Sequence, residues 1–254
     1  MKKRVPVLIG CGVLCLLLAA GCFFWPWIRS APTPSTNDFR PTTAATTAAP
    51  TAPETTVTTA PYVSPLDFAS LQALNPDVCA WLQIDGTDIS YPVVQSPDDD
   101  RFYLDHDSDK NESVYGAIFT EHAYNTADFS DPLTVMYGHN MIDGSMFGNL
   151  QEFYSDKSFF DSHRDVTVYL PHEEKHYRIF AALPYSRLHL LYYYPFSHGV
   201  VFDQFFAELA RTRTLGGILE TDVWPKAGDQ VIVLSTCLEG NHDYRFLVMA
   251  VCSQ

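Results

Sequence analysis

The stretch VIVLSTC, residues 231–237, joins four aliphatic residues to a short polar end and a cysteine. An uncharged apolar run of this length, followed by turn-forming residues, is typical of a strand buried in a core. The polar sequence LEGNHD comes next, at residues 238–243, and predicts a loop. Cys237 is therefore predicted to lie where a buried strand ends, held rigidly on one side and open to a ligand on the other.

Similar short apolar runs recur through residues 64–254, each separated from the next by turn signals. Residues 66–74 share one apolar face and predict a helix that ends before Pro76, because proline disfavours helical backbone in the preceding residue. Residues 201–209 predict a second helix in the long connection before the Cys237 strand. Many short strands with few helices indicate a mostly β fold, a closed or nearly closed barrel. The predicted strands are residues 78–84, 89–94, 133–137, 166–170, 176–183, 231–234 and 246–251.

Residues 1–29 predict a membrane anchor. A basic cluster at residues 2–4 precedes residues 5–28, which include no Asp, Glu, Lys, Arg or His. As a helix this run would extend roughly 36 Å, enough to cross a hydrocarbon core of about 30 Å. The basic flank predicts a cytoplasmic N-terminus and an extracellular body. The alternative is a cleaved signal peptide, with Cys22 acylated as in a lipoprotein; this too leaves a tethered body outside the cell.

Residues 30–63 predict a linker. Thr, Ala and Pro make up almost all of residues 31–61, and Phe39 and Val57 are the bulky apolar exceptions. Such a stretch buries too little apolar surface to offset the entropy lost on ordering. We expect a disordered stalk between the anchor and a catalytic domain at residues 64–254.

The overall charge excludes one class of function. The chain has 16 basic and 30 acidic side chains, giving a formal net charge of −14. Proteins that bind nucleic acid through bulk charge hold phosphates with an excess of Lys and Arg. We expect no nucleic-acid partner.

Three of the six cysteines lie in the predicted anchor, which leaves Cys79, Cys237 and Cys252 in the body. Three thiols cannot all pair within one chain, so at least one stays free in an oxidising compartment. Cys79 and Cys252 lie within apolar runs and are interpreted as small buried hydrophobic residues. From position alone, Cys237 is either a nucleophile or a core thiol.

A thiol nucleophile needs a base or a cation nearby, because the thiolate is the reactive form. His139 follows the end of the predicted strand 133–137, with Gly138 beside it. Arg245 begins the last predicted strand, where it is either a salt-bridge partner for Asp243 or Glu239, or a fixed cation for a developing oxyanion.

These residues carry a family resemblance. The sequence YGHNM at 137–141, with DGSMF at 143–147, resembles the histidine motif of sortases, most closely class B. The sequence LSTC at 234–237, with Arg245 eight positions later, is similar to the cysteine motif of that family and its arginine. The order His, Cys, Arg is kept, and the resemblance extends over nearly all of residues 66–254.

The resemblance implies a closed β-barrel of about eight strands, with N-terminal helices and a helix before the Cys237 strand. It implies a cysteine transpeptidase in which Cys237 attacks a Thr carbonyl in the sorting signal of an exported protein and forms a thioester. An amine, on a peptidoglycan precursor or another acceptor, would then resolve that thioester. His139 would be the general acid and base, and Arg245 would hold the oxyanion. Ser235 and Leu104 would line the peptide groove, and no metal or organic cofactor would be needed.

Competing interpretations remain open at this stage. HEEKH, residues 172–176, matches a zinc-protease motif, but that chemistry requires a helix. Pro171 and the alternating flanks instead predict a charged turn in a hairpin, so we expect no metal site. A tethered binding module with a degenerate active site and a papain-like cysteine hydrolase are the alternatives to a transpeptidase.

Overall fold

A computed structural model describes residues 35–41, 62–212 and 217–253 of the chain. Short 3₁₀ helices cover Thr36–Phe39 and Phe102–Leu104. The α-helices are α1 (Phe68–Leu74), α2 (Leu150–Ser155), α3 (Lys157–Ser162), α4 (Leu190–Tyr193) and α5 (Gly199–Leu209). The strands are β1 (Val78–Ile84), β2 (Ser90–Val94), β3 (Ile118–Phe119), β4 (Leu133–Tyr137), β5 (Asp165–Tyr169), β6 (Glu174–Ser186), β7 (Ile218–Leu219), β8 (Val231–Leu238) and β9 (Asn241–Cys252).

Eight of these strands close into a barrel. Hydrogen-bonded neighbours follow the order β1-β2-β3-β4-β8-β9-β6-β5, and β5 pairs back with β1 to complete the ring. The ninth strand, β7, pairs with Ala181 and Ala182 of β6 outside the ring. Closure leaves the ring strands without open edges. The predicted barrel of about eight strands is confirmed.

The side chains of β8 alternate between two cores, as the twofold period of a strand requires. Ile232 and Leu234 face a cluster that includes residues of α2 and α3. Val231 and Val233 face a second cluster that includes the apolar face of α5. Because both faces of β8 are buried, its C-terminal end is fixed firmly in position.

The strands and helices predicted from the sequence are found at the expected places, but the loop predicted at residues 238–243 is wrong: β9 already begins at Asn241, and only Glu239 and Gly240 form the turn. The end of the preceding strand differs as well. The prediction ended the Cys237 strand at residue 234, whereas β8 runs to Leu238 because Ser235, Thr236 and Cys237 continue to pair with β9. Cys237 therefore lies inside a hydrogen-bonded strand. The HEEKH sequence forms the β5–β6 turn and the start of β6, with His176 paired to Thr167, so the predicted hairpin is also confirmed.

Part of the predicted linker is ordered. Ser35 and Asp38 form a capping box around the first 3₁₀ helix. Thr36 is fully buried: its N–H donates to Asp109 Oδ1 at 2.9 Å, and its hydroxyl lies 2.6 Å from that of Ser108. This corrects the prediction of disorder for residues 35–41. That prediction rested on the scarcity of apolar residues and did not account for the hydrogen bonds that polar side chains make here. The predicted anchor at residues 1–29, and residues 42–61 of the predicted linker, lie outside the described residues. Within the described ranges, every helix is too short or too polar to span a bilayer.

Candidate active site

Cys237 and Arg245 are placed together by the β8–β9 hairpin. The register sets the two residues directly opposite each other, and such residues project from the same face with Cβ atoms about 5 Å apart. Gly240 in the connecting turn has φ +72°, in the left-handed region that glycine adopts without strain. Cys237 is partly exposed and forms no disulfide. The thiol and the guanidinium therefore come side by side from one local element.

His139 reaches the same place through a long-range pairing. β4 and β8 are parallel, with Tyr137 opposite Ser235. His139 and Cys237 each lie two residues beyond that pair, so they leave neighbouring strands at the same end. The Gly138 N–H donates to the Ser235 carbonyl at 3.2 Å. A Cβ at Gly138 would lie 2.5 Å from Ile118 Cδ1 and 2.7 Å from Phe147 Cδ2, so the close approach requires glycine.

The imidazole of His139 is oriented by the backbone of Leu104. The Nε2 atom lies 2.7 Å from the Leu104 carbonyl oxygen. Because a carbonyl oxygen can only accept, Nε2 carries the proton in this contact. In the neutral ring Nδ1 is then the nitrogen that can take up a proton. The geometry suits His139 to accept and return a proton without losing its orientation.

All five residues predicted for the site line one cleft of about 300 Å³. Leu104 forms part of its wall with a half-exposed side chain. Ser235 and Cys237 of β8, Arg245 of β9 and His139 after β4 form the rest. We call this the Arg245 cleft. Its charged and imidazole-bearing lining residues are Arg101, His139, Arg187, His189 and Arg245 against Asp100 and Glu121.

A polar group at the far wall of the Arg245 cleft was missed by the sequence analysis. His189 Nε2 lies 2.8 Å from Glu121 Oε2, and His189 Nδ1 accepts the Tyr192 N–H at 3.1 Å, which caps α4. The pKa of the neighbouring Tyr137 phenol is raised, first by burial and then by the Glu121 carboxylate. The two residues of this contact are 68 positions apart in the chain, so no local sequence pattern predicts it. It fastens α4 to the β3–β4 connection and so holds this wall in place.

Cys237 also lines a second cleft, of about 640 Å³. We call it the Glu239 cleft. Its walls are the loop after His139, helix α2 and the β8–β9 turn, and its lining residues are Asn140, Met141, Ile142, Gly148, Asn149, Gln151, Glu152, Ser155, Leu238, Glu239 and Gly240 with Cys237 itself. Cys237 thus lines both clefts.

The other two described thiols are poorly suited to attack. Burial raises the pKa of Cys79 to about 12, and its Sγ donates to the Val93 carbonyl at 3.4 Å. Cys252, the last residue of β9, is partly exposed and not buried as predicted, but partial burial still raises the pKa of its thiol. A raised pKa keeps a thiol protonated, and the protonated form is unreactive. Neither residue lines the Arg245 cleft or the Glu239 cleft.

Comparison with known proteins identifies the family. Residues 82–253 match the sortase domain. The chain belongs to the sortase family. It is 34% identical to the sortase B of Listeria monocytogenes over 173 residues, which are 67% of this chain and 67% of that one. Sortases are cysteine transpeptidases, so the chain is an enzyme of that type and, by its relatives, of class B.

Solved sortases share the fold. The sortase B of Bacillus anthracis is 30% identical with a TM-score of 0.63, over 74% of this chain and 84% of that one. The sortase B of Clostridium perfringens is 28% identical with a TM-score of 0.65, over 74% of this chain and all of that one. These likenesses extend over most of the barrel. They support the eight-strand architecture on which the strand-end site of this sortase depends.

Proposed function

We propose that this sortase cleaves a sorting signal at a Thr–X bond through a thioester on Cys237, and transfers the released protein to an amine of the cell wall or of a pilin. The observation that carries the proposal is the convergence of three residues on one cleft: Cys237 near the end of β8, His139 just after β4, and Arg245 at the β9 position that pairs with Cys237. No metal ion or organic cofactor is needed for this chemistry.

In the first step, Cys237 Sγ attacks the threonine carbonyl carbon and the carbonyl oxygen becomes an oxyanion. Arg245, opposite Cys237 in the hairpin, supplies a permanent cation with several donors for that oxygen. As the C–N bond breaks, His139 gives a proton to the departing amine. The product is an acyl-enzyme in which the threonine carbonyl is bonded to Cys237.

In the second step, an acceptor amine attacks the thioester. Its nitrogen forms an amide bond, the C–S bond breaks, and Cys237 recovers its electron pair as a thiolate. His139 takes the proton that the amine loses, which returns the site to its starting state. The contact between Nε2 and the Leu104 carbonyl keeps the ring oriented through both transfers.

The proposal includes the location of the enzyme. Residues 1–29 would hold it in the cell membrane with the N-terminus in the cytoplasm. Residues 30–63 would carry the catalytic domain at residues 64–254 on the outside. The support is the uncharged run at residues 5–28 behind a basic cluster. In this position the cleft would meet exported proteins and cell-wall precursors.

The test is acylation by a library of Thr-containing pentapeptides, read by mass spectrometry of the intact protein. We expect an acyl adduct that maps to Cys237 and is released by an added amine as an amide. Cys237→Ala abolishes the adduct, because the attacking atom is removed, while Cys79→Ala and Cys252→Ala keep it. Cleavage at an equal rate in Cys237→Ala would falsify the mechanism. Release by water alone, with no amide formed, would indicate a papain-like hydrolase. The absence of any acyl adduct would indicate a binding module.

A further inference from the structure

Residues 139–147, which we call the His139 loop, are closed by backbone contacts between their two ends. The Phe147 N–H donates to the His139 carbonyl at 3.0 Å. The backbone of Met146 pairs with that of Asn140, the residue after the histidine. The position of the imidazole therefore depends on where Met146 and Phe147 are held.

Tyr91, in β2, holds that far end of the His139 loop. Its hydroxyl accepts the Met146 N–H at 3.0 Å, between residues 55 positions apart in the chain. Met146 has φ +55°, in the left-handed region that residues other than glycine rarely adopt, and only 8% of it is exposed. A buried N–H without a partner is costly, so this hydrogen bond helps to keep the loop in its conformation. Tyr91 lines neither the Arg245 cleft nor the Glu239 cleft.

The ordered part of the linker packs against the ring of the same tyrosine. Arg40 Cζ lies over the Tyr91 ring, 5.6 Å from its centroid, within the range of a cation–π contact. Four residues earlier, the buried Thr36 fastens the segment to the body by donating its N–H to Asp109. Residues 35–41 thus form a strap that reaches Tyr91.

We propose that Tyr91 is a positioning residue for the transpeptidation, and that the strap acts on the site through it. The hydroxyl of Tyr91 holds the His139 loop so that the imidazole meets the leaving nitrogen of the scissile amide. The inference rests on the function proposed above. Tyr91 touches no reacting atom, so its effect is confined to the step in which His139 gives up its proton.

Two acyl donors separate that proton transfer from the rest of the reaction. When Cys237 attacks an amide, the C–N bond breaks and the leaving amine takes a proton from His139. When it attacks an aryl thioester of the same peptide, the C–S bond breaks and the leaving thiolate keeps the electron pair without a proton. Both reactions use the same thiolate and the same oxyanion contact at Arg245. The ratio of the amide to the thioester acylation rate therefore measures the placement of the imidazole.

The test uses the full-length chain, the library peptide that acylates it best and the aryl thioester of that peptide. Quenched-flow mass spectrometry gives both acylation rates. In Tyr91→Phe we expect the ratio to fall about tenfold, which corresponds to about 1.4 kcal/mol, because the buried Met146 N–H loses its acceptor. The control Tyr154→Phe removes a hydroxyl that donates to the His163 carbonyl at 2.7 Å, outside the His139 loop and both clefts, and keeps the wild-type ratio.

The strap provides a second variant that leaves the barrel core untouched. Arg40→Gln removes the cation over the Tyr91 ring, and we expect the ratio to fall about two- to fivefold, the size of an exposed cation–π contact. Arg178→Gln is the matched control, since Arg178 pairs with Asp165 away from both clefts. In Arg40→Gln/Tyr91→Phe we expect no fall beyond that of Tyr91→Phe alone, because the strap acts on His139 through the hydroxyl.

The outcomes separate the two proposals. An unchanged ratio in Tyr91→Phe overturns the positioning role, whether both rates stay normal or fall together, and leaves the transpeptidase standing. If Tyr91→Phe does not fold, an unchanged ratio in Arg40→Gln overturns the proposal. A further fall in the double variant overturns the part of the strap, since Arg40 would then act by another route. A wild type that forms no acyl adduct with any library peptide overturns the proposed function, and the role of Tyr91 with it.

Discussion

The two clefts beside Cys237 differ in how they are built and in what they carry. The Arg245 cleft is small, is formed largely by strand ends, and contains most of the cations of the site. The Glu239 cleft is about twice as large, is formed by a loop, a short helix and a turn, and contains carboxylates. The difference teaches that two neighbouring surfaces which share Cys237 can carry opposite charge, because strand ends place arginines in one and a helix and a turn place carboxylates in the other.

The largest effect should be seen in the thiols. With a pKa of about 12, roughly one Cys79 in 10⁴ is ionised at pH 8, about 10³ fewer than for an ordinary thiol. We expect iodoacetamide to label the partly exposed Cys237 much faster than the buried, protonated Cys79 in the native protein. Labelling of Cys79 should keep rising as the pH increases towards 12. Peptide mapping by mass spectrometry measures both rates, and equal rates would remove the distinction between a thiol in the clefts and a buried one.

The next effect tests the Arg245 cleft alone. Arg245→Ala removes the cation opposite Cys237, and the loss of one oxyanion donor typically lowers the rate by about 10²- to 10³-fold. Quenched-flow mass spectrometry should show that acylation is slower by that factor, whichever amine is added. Arg178→Ala is the matched control, since Arg178 pairs with Asp165 on β5 away from both clefts. A slowing confined to one acceptor would place Arg245 on the acceptor side instead.

The smallest effect tests the boundary between the clefts. Asn140→Ala removes the 2.9 Å hydrogen bond to the Cys237 carbonyl, a contact worth about 1 kcal/mol. We expect turnover of the best library peptide to fall roughly two- to tenfold, because the strand end that carries Cys237 is loosened. An unchanged turnover would show that this hydrogen bond does not position Cys237.

The sequence predicted the parts of the fold that have strong local patterns. Seven runs of apolar residues and two amphipathic segments became strands and helices at the expected places. β3 and β7 have two residues each, which is too short for any alternation to register. Helices α2 and α3 have six residues each and are held by Leu150, Tyr154 and Phe160 packing into the core, a tertiary effect.

The candidate site was predicted to a similar depth. His139, Cys237 and Arg245 were predicted as residues at strand ends, although Arg245 lies within β9, and the family resemblance added Ser235 and Leu104. The side-chain contact between Glu121 and His189 was not predicted, because it joins loops that are distant in sequence. Nor was the Glu239 cleft, since its walls meet only after α2 packs beside the β8–β9 turn. Local sequence patterns predict single reactive residues, whereas clefts are formed by the packing of elements that are distant in sequence.

The sequence distances within the site also bear on the order in which the site can form. Cys237 and Arg245 are eight residues apart and meet in a hairpin, which has a small loop-closure entropy. His139 lies 98 residues before Cys237 and joins it through a parallel pairing, a slow, non-local step. The strand that receives β4 is synthesised only after β5, β6 and β7. In a partly folded chain, Cys237 therefore does not yet lie beside His139. We expect such a chain to have no catalytic activity until β8 and β9 close the barrel.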